Sequence, residues 1–170
     1  RGERAAAAML LAALVPRSAI RPLVRAYMHH GDADILETLA LYGDKVTLAV
    51  AREAGSAGLS GTQRARLMDV LGATGDTGAI AIVRQALGDY ASVVHVAACR
   101  ALVQLGDLSG VDLLDQALMS IDRDRRLMAL DAARSLDHPA VAAMLEGAVE
   151  RYLSAGKAVP RPVAVGMPLL

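Results

Sequence analysis

Tryptophan and phenylalanine are absent from this chain, and tyrosine occurs only four times. Aromatic residues are enriched in strands and form the platforms on which proteins stack displaced or single-stranded bases. Their scarcity argues against a β-rich domain and against enzymes that hold a flipped base. An excess of charge of one sign is missing too. Eighteen Lys and Arg balance eighteen Asp and Glu, so no global positive field draws in a polyanion, and no nucleic-acid partner is expected. The one cysteine, Cys99, excludes an internal disulfide and fits a reducing or a neutral compartment, with the cytoplasm favoured. Long apolar runs are lacking as well. The longest, AAAAMLLAALV from Ala5 to Val15, has 11 residues, well short of the roughly 20 that cross a bilayer, so no membrane insertion is expected. The run follows RGER in the manner of a signal-peptide core, but a chain that opens on Arg rather than Met reads as a piece of something longer.

The familiar chemical motifs are also missing. The sequence holds no G-x-S-x-G, no P-loop, no G-x-G-x-x-G and no His-Glu dipeptide, so nucleophile elbows and phosphate cradles have no starting point. No metal site and no cofactor are expected. His29 and His30 are adjacent and point about 100° apart on a helix, which prevents them from gripping one ion. They stand at a helix end, where water and the dipole suit them. His138 is expected to follow an N-cap and face water. Cys99, among Ala97, Ala98 and Ala101, reads as a small core residue rather than a nucleophile. Tyr27, Tyr42 and Tyr152 read as core or turn positions.

Ala, Leu and Val dominate what is present, and Ala and Leu are strong helix formers. Gly-Asp recurs five times, at Gly31, Gly43, Gly75, Gly88 and Gly106. Three of these, Gly43, Gly75 and Gly106, are spaced by 32 and 31 residues. Leu136-Asp137 continues the series with the glycine replaced. After each comes a segment of helical periodicity: VTLAVAREA, GAIAIVRQA, GVDLLDQAL and AVAAMLEGA. Self-similarity at a fixed period of this size marks stacked supersecondary units. The spacing predicts first helices near 19–29, 46–55, 78–88, 109–119 and 139–153. Second helices are predicted near 1–15, 32–42, 60–72, 90–105 and 122–136. The Gly-Asp pairs then have a physical job: Gly ends one helix in the left-handed conformation, and Asp accepts from the free N–H groups opening the next. Ser-Ile-Asp at 120–122 does similar work, and Ser60 or Thr62 can cap the helix after GSAGLSG.

The motif A-x-x-AL-x-x-LGD, present as VAACRALVQLGD at 96–107, resembles the short HEAT-like repeats, and the likeness runs to about Tyr152. It implies an all-α fold, an α-solenoid of about five helix pairs over residues 1–153, followed by an extended, proline-containing tail over 154–170. That family includes scaffolds, bilin lyase subunits, a diiron hydroxylase and alkylpurine DNA glycosylases, so it specifies fold rather than activity. Such solenoids line their concave face with the second helix of each pair. Aligning those helices gives two polar columns: Asp32, Arg64, His95 and Arg126, and Glu37, Asp69, Arg100 and Asp131. They are the expected partner-binding ridge. IDRDRR at 121–126, with Arg134, is the densest basic cluster, its positive charge partly offset by Asp122 and Asp124.

The expectation is a non-catalytic protein-interaction module with a protein partner. The alternatives are a chromophore lyase-type or other enzyme subunit on the same repeats, which calls for a closed apolar pocket, and a regulatory domain of a larger, membrane-associated protein. The first helix, apolar on every side, is expected to pair with upstream repeats or to form a homodimer with a second copy. The tail, with Pro160, Pro162 and Pro168, is expected to lie along its own chain, the alternative being to reach a neighbouring chain as an extended peptide.

Overall fold

The computed structural model describes residues 16–157. The expected helix at 1–15, the dimer built on it and residues 158–170 lie outside that range. The described residues are all-helical, with nine α-helices and no strand. These are α1 (Ile20–His30), α2 (Ala33–Ala40), α3 (Asp44–Ala54), α4 (Gly61–Thr74), α5 (Ile80–Ala86), α6 (Ser92–Gln104), α7 (Ser109–Leu118), α8 (Arg123–Arg134) and α9 (Pro139–Lys157). The helix pattern expected to end at residue 153 continues to Lys157. Single 3₁₀ turns, Arg17–Ala19 and Thr77–Ala79, lead into α1 and α5.

The dipeptide that repeats along the sequence does most of the punctuation. Asp32, Asp76, Asp89 and Asp107 each accept from the backbone N–H two residues on, at 2.9, 2.9, 2.9 and 3.1 Å. Asp122 does the same at 2.9 Å. Gly31 and Gly75 end their helices in the left-handed region, at φ +71 and +65. Gly43-Asp44 departs from the scheme. Gly43 has φ 55 and ψ −130, and Asp44 sits inside the first turn of α3 without making a cap. Its negative charge there still suits the positive end of the helix. Ser60, not Thr62, opens α4, in a full capping box with Gln63. His138 is not a bystander behind a cap: its Nδ1 accepts from the Ala140 N–H at 3.1 Å and so caps α9 itself.

Helices α4 and α6 form most of the interior. Helix α4 packs on α2 and α6, and α6 packs on α8, while each of α1, α3, α5 and α7 leans on the helix that follows it. One core cluster joins α1 to α6 through Val24, Leu39, Val50, Leu67, Leu71, Val83 and Leu102. A second joins α6 to α9 through Cys99, Val103, Leu114, Ala129 and Val141. Helix α6 belongs to both, and its residues from Val96 to Cys99 and from Ala101 to Val103 are all buried. Small side chains allow this. A Cβ on Gly72 would stand 2.9 Å from Ala101 Cα, and one on Gly110 would stand 2.5 Å from the Cys99 carbonyl oxygen. Tyr27 and Tyr42 are buried as expected, whereas Tyr152 is 77% exposed, beside an open groove that it lines with Leu127 and Leu130.

Candidate functional site

The two expected columns fare differently. Asp69 of α4, Arg100 of α6 and Asp131 of α8 line one shallow cleft of about 150 Å³. Its floor is apolar, made by Ala65, Val93, Val96, Ala97, Met128 and Ala132. The helical period explains the arrangement. Residues 69, 100 and 131 recur at 31-residue spacing, one per stacked helix, so parallel packing of α4, α6 and α8 sets them side by side. Arg100 donates through Nη2 to Asp69 Oδ1 in a tight ion pair. Asp131 is exposed and has no partner among the described residues. Glu37 is exposed on α2 and takes no part in the cleft.

Beneath Asp69 lies a residue that the sequence reads as a core or turn position. Tyr27 of α1 is buried, and its hydroxyl pKa is raised, first by burial and then by the Asp69 carboxylate beside it. The cleft thus carries two carboxylates and one guanidinium, a net charge of −1, and its unpaired negative group is the outermost one. The shape and charge of such a site match a cationic side chain with an apolar stem.

The other column is spent on local structure. Asp32 caps α2. Arg64 turns away to the α5–α6 turn, donating from Nε and Nη2 to Asp89 at 2.6 and 3.1 Å and from Nη1 to the Leu59 carbonyl at 2.5 Å. Its guanidinium also lies 5.1 Å from the centre of the Tyr90 ring. Arg126 folds back on the turn before α8, where its Nη1 donates to the Ser120 and Ile121 carbonyls, both at 2.8 Å. These arginines satisfy turn carbonyls that would otherwise be orphaned. The basic cluster at 121–126 is dispersed for the same reason, with Arg125 half-buried and turned toward His95.

His95 and Cys99 form an arrangement that resembles a nucleophile and its base. Cys99 Sγ lies 3.6 Å from His95 Nδ1. Burial pushes the Cys99 thiol up to about 12. His95 is shifted the other way, its pKa lowered by burial and then by Arg125, whose Nη2 stands 3.3 Å from Nδ1. A thiol held protonated beside an imidazole held neutral is not an activated pair. Cys99 is fully buried and serves as core. Among the described residues no group of three or more His, Cys, Asp or Glu could hold a metal ion. No helix there is long and apolar enough to cross a membrane.

No family model matches the sequence, and no curated protein is detectably similar to it.

Proposed function

We propose that the chain is an α-solenoid of HEAT-like repeats that acts as a non-catalytic protein-interaction module, with its partner docking on the face formed by the second helices α4, α6 and α8. The observation that carries this reading is the Asp69–Arg100–Asp131 strip over an apolar floor. A cleft of about 150 Å³ is smaller than the roughly 300–1,000 Å³ of small-molecule sites, but it suits one anchoring side chain of a protein surface. The unpaired Asp131 favours Lys or Arg as that anchor. Repeat solenoids use extended faces of this kind for binding. The enzyme-subunit alternative calls for a closed apolar pocket, and the apolar groove of about 500 Å³ between α8 and α9 gives it partial support. But that groove lies open, with Leu127, Val149, Tyr152 and Leu153 at least half-exposed, and the Cys99–His95 pair is no activated nucleophile.

The test compares the immobilised domain with its Asp69→Lys/Asp131→Lys variant. Proteins crosslinked to each would be quantified, and melting temperatures recorded alongside. A partner retained by the wild type should fall at least tenfold on the variant, with folding preserved. Equal retention on a folded variant would move the site off this face.

A further inference from the structure

The chain as a whole is neutral, yet its odd-numbered helices divide the charge unevenly. A groove of about 410 Å³ opens between α1 and α3. Arg17, Arg21, Lys45 and Arg52 line it, against one carboxylate, Asp44. The helical period puts Lys45, Leu48, Ala49 and Arg52 on one face of α3. Leu48 is 61% exposed among these cations. Arg21 is tied to Glu53, but Arg17, Lys45 and Arg52 are exposed and make no ion pair among the described residues.

The opposite arrangement stands on α9. Glu146 and Glu150 border a second open groove together with Leu145 and Val149. Glu146, Val149, Glu150 and Leu153 recur at the spacing of one helix face, and all four are exposed. The neighbouring Arg151 is turned to Asp115 of α7. Glu146 and Glu150 therefore keep their charge unpaired among the described residues.

The two surfaces match in chemistry. Each is an apolar strip, Leu48 with Ala49 or Val149 with Leu145, rimmed by unpaired charge of one sign. A lone exposed ion pair contributes little. Two apolar strips that leave water together gain more, and the charges on their rims fix the orientation in which they meet. A second copy of this chain supplies the matching surface in equal amount. A two-fold axis brings each basic groove onto the acidic ridge of the other molecule, so the contact is made twice and the pair closes. A parallel arrangement is opposed, because groove would then face groove.

We propose that two copies of the chain associate antiparallel, the Glu146–Glu150 ridge of each seated in the Arg17–Lys45–Arg52 groove of the other. None of these residues lines the Asp69 cleft, so the dimer does not depend on the interaction reading above.

Sedimentation of the full chain tests it. The wild type should form dimers whose dissociation constant rises several-fold between about 0.05 and 0.5 M salt, because exposed charges are screened. Lys45→Glu/Arg52→Glu turns the groove acidic like the ridge, and Glu146→Lys/Glu150→Lys turns the ridge basic like the groove. Each variant alone should dissociate at least tenfold more readily. Mixed in equal amounts, the two should re-form dimers at near wild-type affinity, since both contacts of a mixed pair again join opposite charges. Melting temperatures show whether the variants are folded. Where a reversal unfolds the chain, Lys45→Gln/Arg52→Gln and Glu146→Gln/Glu150→Gln take its place, and each should weaken the dimer several-fold. Asp69→Lys/Asp131→Lys should dimerise like the wild type, and loss of dimers there would move the contact to the cleft. A wild type that stays monomeric up to about 0.5 mM would overturn the proposal. So would dimers insensitive to salt and to both reversals, or folded reversals that fail to rescue each other.

Discussion

Glu53 shows how a single buried charge is held. It is 3% exposed, the one charged residue buried among those described. Arg21 and Arg25 of α1 reach across to it, their Nε atoms donating at 2.6 and 3.0 Å. Arg21, then Arg25, hold its carboxyl below the usual range against the opposing effect of burial. The two arginines are half-exposed, so the pair is asymmetric. Without Glu53 the guanidinium groups return to water, whereas without them a carboxylate is stranded. Arg21→Ala/Arg25→Ala should therefore cost about 3 kcal/mol or more at pH 7, and Glu53→Gln distinctly less. The pH dependence separates the cases. In the wild type the folded pKa lies below the unfolded one, so the clamp contributes fully above the ordinary carboxylate range of about 4–4.5 and is lost as pH falls through the folded value. In the double variant burial alone acts and raises that pKa, so its deficit should shrink between pH 7 and pH 5. Urea unfolding at both pH values measures this, and a Glu53→Gln cost equal to that of the double variant would contradict it.

Among the elements, the aspartates of the Gly-Asp pairs turn out to hold neighbouring units together as well as to start helices. Asp76 Oδ2 accepts from Thr47 Oγ1 of α3 at 2.6 Å, and Asp107 Oδ2 accepts from Arg84 of α5 at 2.7 Å. Close approach of the helices depends on glycine at two contacts, and the position decides what an added methyl does. On α7, Gly110 faces the Cys99 carbonyl and the Leu102 Cβ, which a new Cβ would meet at 2.5 and 2.9 Å. On α9, a Cβ at Gly147 would meet only Arg151 Nη1, at 3.5 Å. Gly110→Ala should cost about 1–3 kcal/mol through overpacking. Gly147→Ala should stabilise by about 0.5–1 kcal/mol, because alanine loses less backbone entropy in a helix. Thermal unfolding of the two variants checks the pair, and equal effects would show that α7 can shift without penalty.

At the scale of the whole molecule, two core clusters share α6. On the solenoid reading proposed above, stability is a sum of local and interface contributions, and units open separately when one is weakened. Leu114 is fully buried in the second cluster, and Leu114→Ala should cost about 2–5 kcal/mol there. Amide hydrogen exchange is then expected to quicken in α7, α8 and α9 while α1 to α4 keep their protection. Uniform loss along the chain would show a single cooperative unit instead.

The all-helical class, nearly every helix boundary and the capping aspartates could be read from the sequence, because they depend on local interactions: a glycine that tolerates positive φ, an aspartate two residues from a free N–H, and apolar residues on one face. The 31-residue spacing also puts Asp69, Arg100 and Asp131 in register. What local reasoning could not decide is where long side chains go once helices pack. Arg64 and Arg126 occupy the same repeat position as His95, yet both arginines are drawn to nearby turn carbonyls, and Arg64 also to Asp89, while His95 is drawn to Cys99 and Arg125. The Glu53 clamp joins residues 28 and 32 positions apart and has no sequence signal, since an Arg or Glu on a helix face reads as solvated until a neighbouring helix covers it. The open α8–α9 groove is likewise a tertiary fact. Leu127 and Leu130 are apolar residues on a helix, and only the packing of the helices around them leaves that side uncovered among the described residues.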